Sequence, residues 1–305
     1  MPRVMYAIIV NPSSGRGKGV QLFRQVEQEL CIANIAYRTL LSDTKETSVL
    51  FVEKLMKTEN LKGIVVIGGD GTAGSIVGVA SRWNLPVAIL PAGSGNDTAR
   101  AFNLTHDPTK FVKQLIEAHT RKIDLLNVDG QKGITIAAAG VDAEIGEKAN
   151  HSFYKSLLNK FGLGGLAYPI AAIHTLLVFT PFEMTLTIDG ESLMAWPCTW
   201  LIAAGNTSSY GGGLQVCPQA LPNDQIMNIT IAHSASRLSL LFRLFPRLLQ
   251  GNAIVSPSIS YLTAKAMTIR ADRSVLLILD GEPIHSSTFT IQLNPEALTL
   301  IQTIE

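Results

Sequence analysis

Cysteine is scarce: Cys31, Cys198 and Cys217 are the three in 305 residues. An odd number at distant spacings fits neither a disulfide framework nor a zinc site, and a reducing cytosol is the simple reading. Net charge is almost absent as well, because 25 Lys and Arg stand against 24 Asp and Glu to give +1. No general attraction to a polyanion follows, so nucleic acid is not expected as a partner. Charged residues make up only 16% of the chain against 47% apolar, which excludes disorder and allows a large core. The start MPRVMYAIIVNPSSG has a short apolar run, Met5 to Val10, and no cleavage site, so it does not read as a signal peptide. No repeat or low-complexity tract occurs.

A clean membrane span is missing too. Residues 162–182, GLGGLAYPIAAIHTLLVFTPF, carry no Asp, Glu, Lys or Arg and are long enough to cross a bilayer. Gly162, Gly164, Gly165 and Pro169 interrupt the first part, and His174 and Pro181 follow. The uninterrupted part, from Pro169 to Phe179, is too short to span. A buried or cleft-lining helix is expected here, with shallow membrane contact as an addition. The expected location is cytoplasmic, with peripheral membrane contact.

What is present is alternation. VMYAIIV, GIVVIG and PVAIL read as buried strands. GVQLFRQVEQELCIA, TSVLFVEKLMKT, TAGSIVGVASRW and PTKFVKQLIEAHT read as helices. This order implies a parallel sheet with helices on both faces. After about residue 125 the texture turns to strands with turn dipeptides, interrupted by helical runs near 151–179 and 236–250. The expectation is an α/β fold in two parts: an N-terminal parallel-sheet nucleotide-binding domain, 1–125, and a β-rich, antiparallel sandwich-like domain, 126–305. A cleft is expected between them.

Three glycine-rich loops each follow a strand of the first part: NPSSGRGKG, GGDGT and PAGSGND. In a parallel sheet such loops emerge at the carboxyl edge, where open α/β sheets bind ligands. Backbone amides there suit phosphate groups. A Walker A loop fails, because Pro12 stands where its first glycine belongs and Gly19 where its Ser or Thr belongs. The dinucleotide fingerprint fails at its third glycine in both candidate loops. Glycines allow close approach to phosphates. Asp70, set inside such a loop, would repel phosphates unless a cation lay between, and Mg²⁺ takes one or two carboxylates plus phosphate oxygens. A solvated Asp-Gly turn is the plain alternative.

NPSSG, GGDGT and PAGSGND in this order resemble the diacylglycerol kinase catalytic-domain family, in its bacterial soluble lipid-kinase form. Two later segments add to the resemblance: YGGGLQVCPQALPND at 210–224 and LDGEP at 279–283. The resemblance implies ATP and Mg²⁺ in a cleft, with the β-rich domain supplying a general base and the lipid site. Asn11, Pro12, Ser13, Ser14, Gly15, Gly68, Gly69, Gly71, Thr72, Ser94 and Asn96 would cradle the nucleotide. Ser42 falls where the family has a nucleotide-contacting threonine. Asp70 and Asp97 would serve an active-site Mg²⁺ network. Asp224, with the carbonyls of Leu221 and Ile226, would hold a second, structural Mg²⁺, although Asn223 and Gln225 depart from the family's pattern there. Asp280 would be the base, with Glu282 in support; the plain reading of that stretch is a hairpin turn, and both can hold at once.

The tripeptide DGE also occurs at 189–191, and a plain hairpin is expected there. Asp142 resembles a family position beside the cleft, though an acid after a strand is more often a loop residue. Arg16 and Lys18 could neutralise phosphate, or simply be solvated. His174 and His285 read as packing or surface residues. The overall expectation is an ATP- and Mg²⁺-dependent kinase of a diacylglycerol-like lipid at a membrane surface, with a homodimer left open. The rivals are a kinase of a soluble substrate such as NAD, and an inactive nucleotide-binding regulator.

Overall fold

Six of the seven residues of strand β1 (Val4–Val10) are buried, as a strand covered on both faces requires. In the computed structural model, which describes residues 4–151, 167–249 and 254–302, it lies at the centre of a parallel sheet. Its neighbours are β2 (Ala36–Leu41) and β3 (Asn60–Gly68), and β4 (Val87–Pro91) lies beyond β3. Val10 is level with Leu41 and Ile67, and Gly68 with Pro91, so the loops after β1, β3 and β4 leave from one edge. Alternate residues face opposite sides. Tyr6, Ile8, Val10 and Ile67 pack on α1 (Lys18–Ile32) and α5 (Pro108–Glu117), through Phe23, Val26, Leu30 and Phe111. Ile9, Ile64, Val66 and Ile89 pack on α2 (Lys45–Thr58) and α3 (Asp70–Arg82), through Val52, Ile76 and Ala80. A further one-turn helix, α4 (Asp97–Ala101), follows β4.

The second half is antiparallel. β7 (Ile136–Gly140) and β8 (Phe182–Ile188) both pair with β9 (Glu191–Gly205) and with β12 (Ala266–Leu279). The two long strands therefore share β7 and β8 as neighbours, and each pairs with a third strand besides. They enclose a core containing Phe182, Leu186, Ile202, Ile229, Ile269 and Phe289. β10 (Met227–His233) and β11 (Ile259–Ala264) extend the sheet beyond β9. Helices α6 (Val141–His151) and α7 (Ala167–Val178) and a helical segment at 237–249, with a π-helical turn at Leu240–Leu244, lie among these strands. Part of the 162–182 stretch, residues 162–166, lies outside the described residues. Among the described residues no helix is long and apolar enough to cross a membrane.

The halves share strands. β13 (Glu282–Ile301) pairs with β12, then with β5 (Thr120–Val128), and its Leu300 pairs in parallel with Val87 of β4. Residue 125, where the texture of the sequence changes, falls inside β5, which also pairs with the short β6 (Gln131–Gly133).

Candidate active site

Asn11 organises the first loop. Its Oδ1 accepts the amides of Ser13 (2.9 Å) and Ser14 (3.1 Å), and its Nδ2 donates to Thr72 Oγ1 (3.1 Å). Two glycine positions bring the loops together. Gly15 has φ +57°, and a Cβ there would meet the carbonyl oxygen of Ala92 at 2.2 Å. A Cβ on Gly93 would lie 2.7 Å from the Cα of Gly69. These glycines serve loop-on-loop packing. Gly71 differs, because a Cβ there meets nothing within 4 Å, and it borders both cavities described below.

Asp70 begins α3. Its Oδ2 accepts the amide of Asp97 (3.1 Å) and its Oδ1 that of Thr98 (2.9 Å), so it caps α4 from outside. Among the described residues no Lys or Arg pairs with it. A carboxylate has about four lone-pair sites, so capacity remains for a hard cation beside phosphate oxygens. Asp97 is differently committed. It is buried, its Oδ1 accepts Arg100 Nη2 (2.7 Å), and its oxygens take the amides of Gly212 and Gly213 at 3.1 Å. That clamp joins the third loop to the glycine triplet of the second half.

Asp280 lies in the turn between β12 and β13. Its carboxylate accepts the amides of Ile134 (2.5 Å) and Thr135 (2.9 Å) and the Thr135 hydroxyl (2.5 Å). Burial pushes its carboxyl up from the ordinary range; these hydrogen bonds oppose the shift, and the charge of Asp70 adds to it. A cavity of about 540 Å³ brings Asp280 together with Ser13, Ser14, Gly15, Gly69, Asp70, Gly71, Ser94 and Asp97. A second, of about 270 Å³, is lined by Asn11, Ser42, Thr72 and Glu282, and shares Ser14, Gly69 and Gly71 with the first. The 280–282 turn thus borders both. Ser42 Oγ accepts the Thr44 amide (3.2 Å) and donates to the Thr44 carbonyl (3.1 Å). Pro12, Gly68 and Asn96 border neither cavity; Asn96, at φ +53°, precedes α4 as its cap.

Leu221, Asp224 and Ile226 stand apart, on a loop beside the start of β5. Leu221 and Ile226 are exposed, and Asp224 accepts the Ile226 amide (3.1 Å). A carboxylate with main-chain oxygens is an oxygen-only set of the kind hard cations take. No group of three or more His, Cys, Asp or Glu converges among the described residues. The fully buried carboxylate here is Asp124, which takes the amides of Gln225 (2.8 Å) and Glu296 (2.7 Å). Its signal was an acid inside the apolar run KIDLLNV. Thr135 carried no signal at all.

A third cavity, of about 100 Å³, lies inside the second half, with walls of Leu176, Trp200, Leu214, Val216, Leu240 and Leu244. Asp142 and Tyr210 border both it and the 540 Å³ cleft. The Tyr210 hydroxyl donates to Asp142 Oδ2. Burial pushes the Asp142 carboxyl up to about 7, partly offset by the amides of Asp142 and Ala143.

A parallel-sheet half with a glycine-loop cleft, closed by a β-rich half that supplies a buried acid, is the frame of a kinase. Residues 5–128 match the diacylglycerol kinase catalytic domain, and residues 135–302 match the YegS C-terminal NAD kinase beta sandwich-like domain. The chain belongs to the diacylglycerol kinase family. It is 30% identical to a diacylglycerol kinase of Mycobacterium tuberculosis over 301 residues, 96% of this chain and 94% of that one. It is 28% identical to a diacylglycerol kinase of Staphylococcus carnosus, over 90% of this chain and 87% of that one. The crystal structure of a diacylglycerol kinase from Bacillus anthracis shares the fold, with TM-score 0.73 at 18% identity, covering 98% of this chain and 97% of that one.

Proposed function

We propose that the chain transfers the γ-phosphoryl group of ATP to the hydroxyl of a diacylglycerol-like lipid, with Mg²⁺. The observation that carries this is one cavity bordered by Asp280, Asp70 and the three glycine loops, with an apolar cavity opening beside it. Phosphoryl transfer asks mainly for positioning and charge stabilisation. The first half, to about residue 125, holds the nucleotide through Ser13 to Gly15, Gly69 to Thr72 and Ser94, with Ser42 on the smaller cavity. Bound Mg²⁺ neutralises phosphate charge, and Asp70 is the residue to hold it. Asp97 supports that arrangement through its clamp on Gly212 and Gly213.

Asp280 takes the proton of the lipid hydroxyl as the oxygen attacks the γ-phosphorus and ADP leaves. Its raised pKa suits a base, and Glu282 flanks it. A structural Mg²⁺ would be held by Asp224 and the carbonyls of Leu221 and Ile226. The apolar cavity receives acyl chain. At about 100 Å³ it is smaller than the ~300–1,000 Å³ usual for ligand pockets, so its helical cover has to part. That cover carries exposed Leu177, Leu238 and Phe242 beside Arg243, a face suited to a membrane surface.

The test is phosphate transfer from radiolabelled ATP to a panel of lipids in mixed micelles, with NAD as the soluble control. Labelled lipid is expected, dependent on Mg²⁺. Labelled NADP with no labelled lipid would overturn the reading.

A further inference from the structure

The cleft and the apolar cavity meet at two side chains, Asp142 and Tyr210. Asp142 opens α6, immediately after β7. Its Oδ2 is held by the Tyr210 hydroxyl. Its Oδ1 is sealed from solvent and makes no hydrogen bond of ordinary geometry, although the amides of Ala143 and Asp142 bear on the carboxyl. Among the described residues, no other side chain lining either cavity carries a buried oxygen or nitrogen without a partner. Two of the other polar side chains on the apolar wall are already used. Thr230 donates to the Val216 carbonyl (2.7 Å), and Tyr261 accepts the Ile254 amide (3.0 Å).

We propose that Asp142, steadied by Tyr210, registers the acceptor lipid by donating a hydrogen bond from Oδ1 to the ester carbonyl next to the reacting hydroxyl. The inference rests on the lipid-kinase reading and deepens it. Buried polar groups are nearly always satisfied, so an oxygen left without a good hydrogen bond where the two cavities meet marks where a ligand atom belongs once the helical cover has parted. The site lies where polar wall gives way to apolar wall, as an acyl ester does between glycerol and hydrocarbon. With Oδ2 accepting from Tyr210, a proton on the carboxyl belongs on Oδ1, which then requires an acceptor. Burial favours that neutral form. Asp142 is a binding and positioning residue here. The proton of the reacting hydroxyl goes to Asp280.

The experiment compares 1,2-diacylglycerol with 1,2-dialkylglycerol of matched chain length, which lacks the carbonyls. The full chain is assayed in mixed micelles with Mg²⁺ and ATP. Wild type should favour the diacyl lipid in kcat/KM by about tenfold, the usual worth of one hydrogen bond. Asp142→Val should bring the ratio to within about twofold, with KM for ATP unchanged. Asp142→Asn, which keeps an N–H in place of the O–H, should retain the preference. Equal use of both lipids by wild type, or an undiminished preference in Asp142→Val, overturns the inference while leaving the lipid-kinase reading intact. Failure of wild type to phosphorylate either lipid overturns that reading and the inference with it. If Asp142→Val does not fold, the wild-type ratio decides.

Discussion

Asp280 and Asp189 open Asp-Gly turns of the same backbone shape, with φ of 49° and 48°, each followed by a glycine at φ of 93° and 80°. Their carboxylates meet different surroundings. Asp189 is exposed, and its Oδ1 accepts the amides of Lys265 (3.0 Å) and Ala266 (2.7 Å). Asp280 borders the cleft against Thr135. Asp280→Asn is therefore expected to lose turnover on the order of 10²–10⁴-fold, the worth of a positioned base. Asp189→Asn should change it by less than about threefold, because Asn-Gly serves a hairpin as well. Steady-state kinetics of the two variants make the comparison, and the opposite ranking would place the base on the wrong hairpin.

Thr135 bears on the base through one hydroxyl. That hydrogen bond favours the charged carboxylate and holds the pKa of Asp280 below where burial alone would put it. Thr135→Val should move the acid limb of the kcat/KM–pH profile to higher pH and lower neutral-pH turnover on the order of tenfold. Thr135→Ser should restore both. An acid limb unmoved by the valine would remove Asp280 from the titrating role.

Asp142 gives a pH-dependent stability. Burial pushes the carboxyl from its ordinary value of 3.8 up to about 7 in the folded chain. Between those values the unfolded state has lost its proton while the folded state keeps it, so wild-type stability falls as pH rises through the window. Asp142→Asn carries no such group. Its melting temperature relative to wild type should rise between about pH 4 and pH 8. Each kcal/mol should appear as about 2–4 °C. A pH-independent difference in thermal melts would contradict the buried carboxyl.

For the 221–226 loop, Mg²⁺ is expected to raise the melting temperature of wild type, and Asp224→Ala to lower the melting temperature and weaken that rise without abolishing phosphoryl transfer. Thermal melts across a Mg²⁺ titration check this. Identical protection in wild type and variant would rule out a cation at Asp224.

Much of the first half was legible because its central strands are unbroken apolar runs, such as VMYAIIV and GIVVIG. β2 was not, because AYRTLL is an edge strand whose residues are all half-buried or exposed, and no apolar pattern marks it. α4 is only one turn long and escaped for that reason. The three loops were legible from their glycines, but the reason for the glycines was not. Gly15 and Gly93 answer to contacts with Ala92 and Gly69 that only the folded loops create. Asp97 read as a candidate for the Mg²⁺ network, but its clamp on Gly212 and Gly213, 115 and 116 residues away, was not legible. A still longer separation, 145 residues, hid Thr135 from Asp280.

The return of β13 to β4 sets an order of events during synthesis. Val87 leaves the ribosome more than two hundred residues before its partner Leu300. The first half is made first, but β4 and β5 each lack their contact with β13 until nearly the whole second half has emerged. A bare strand edge held open for that long is a place where another chain can pair. The strand order therefore ties completion of the first half to the last strand made, so the two halves do not close as separate sheets.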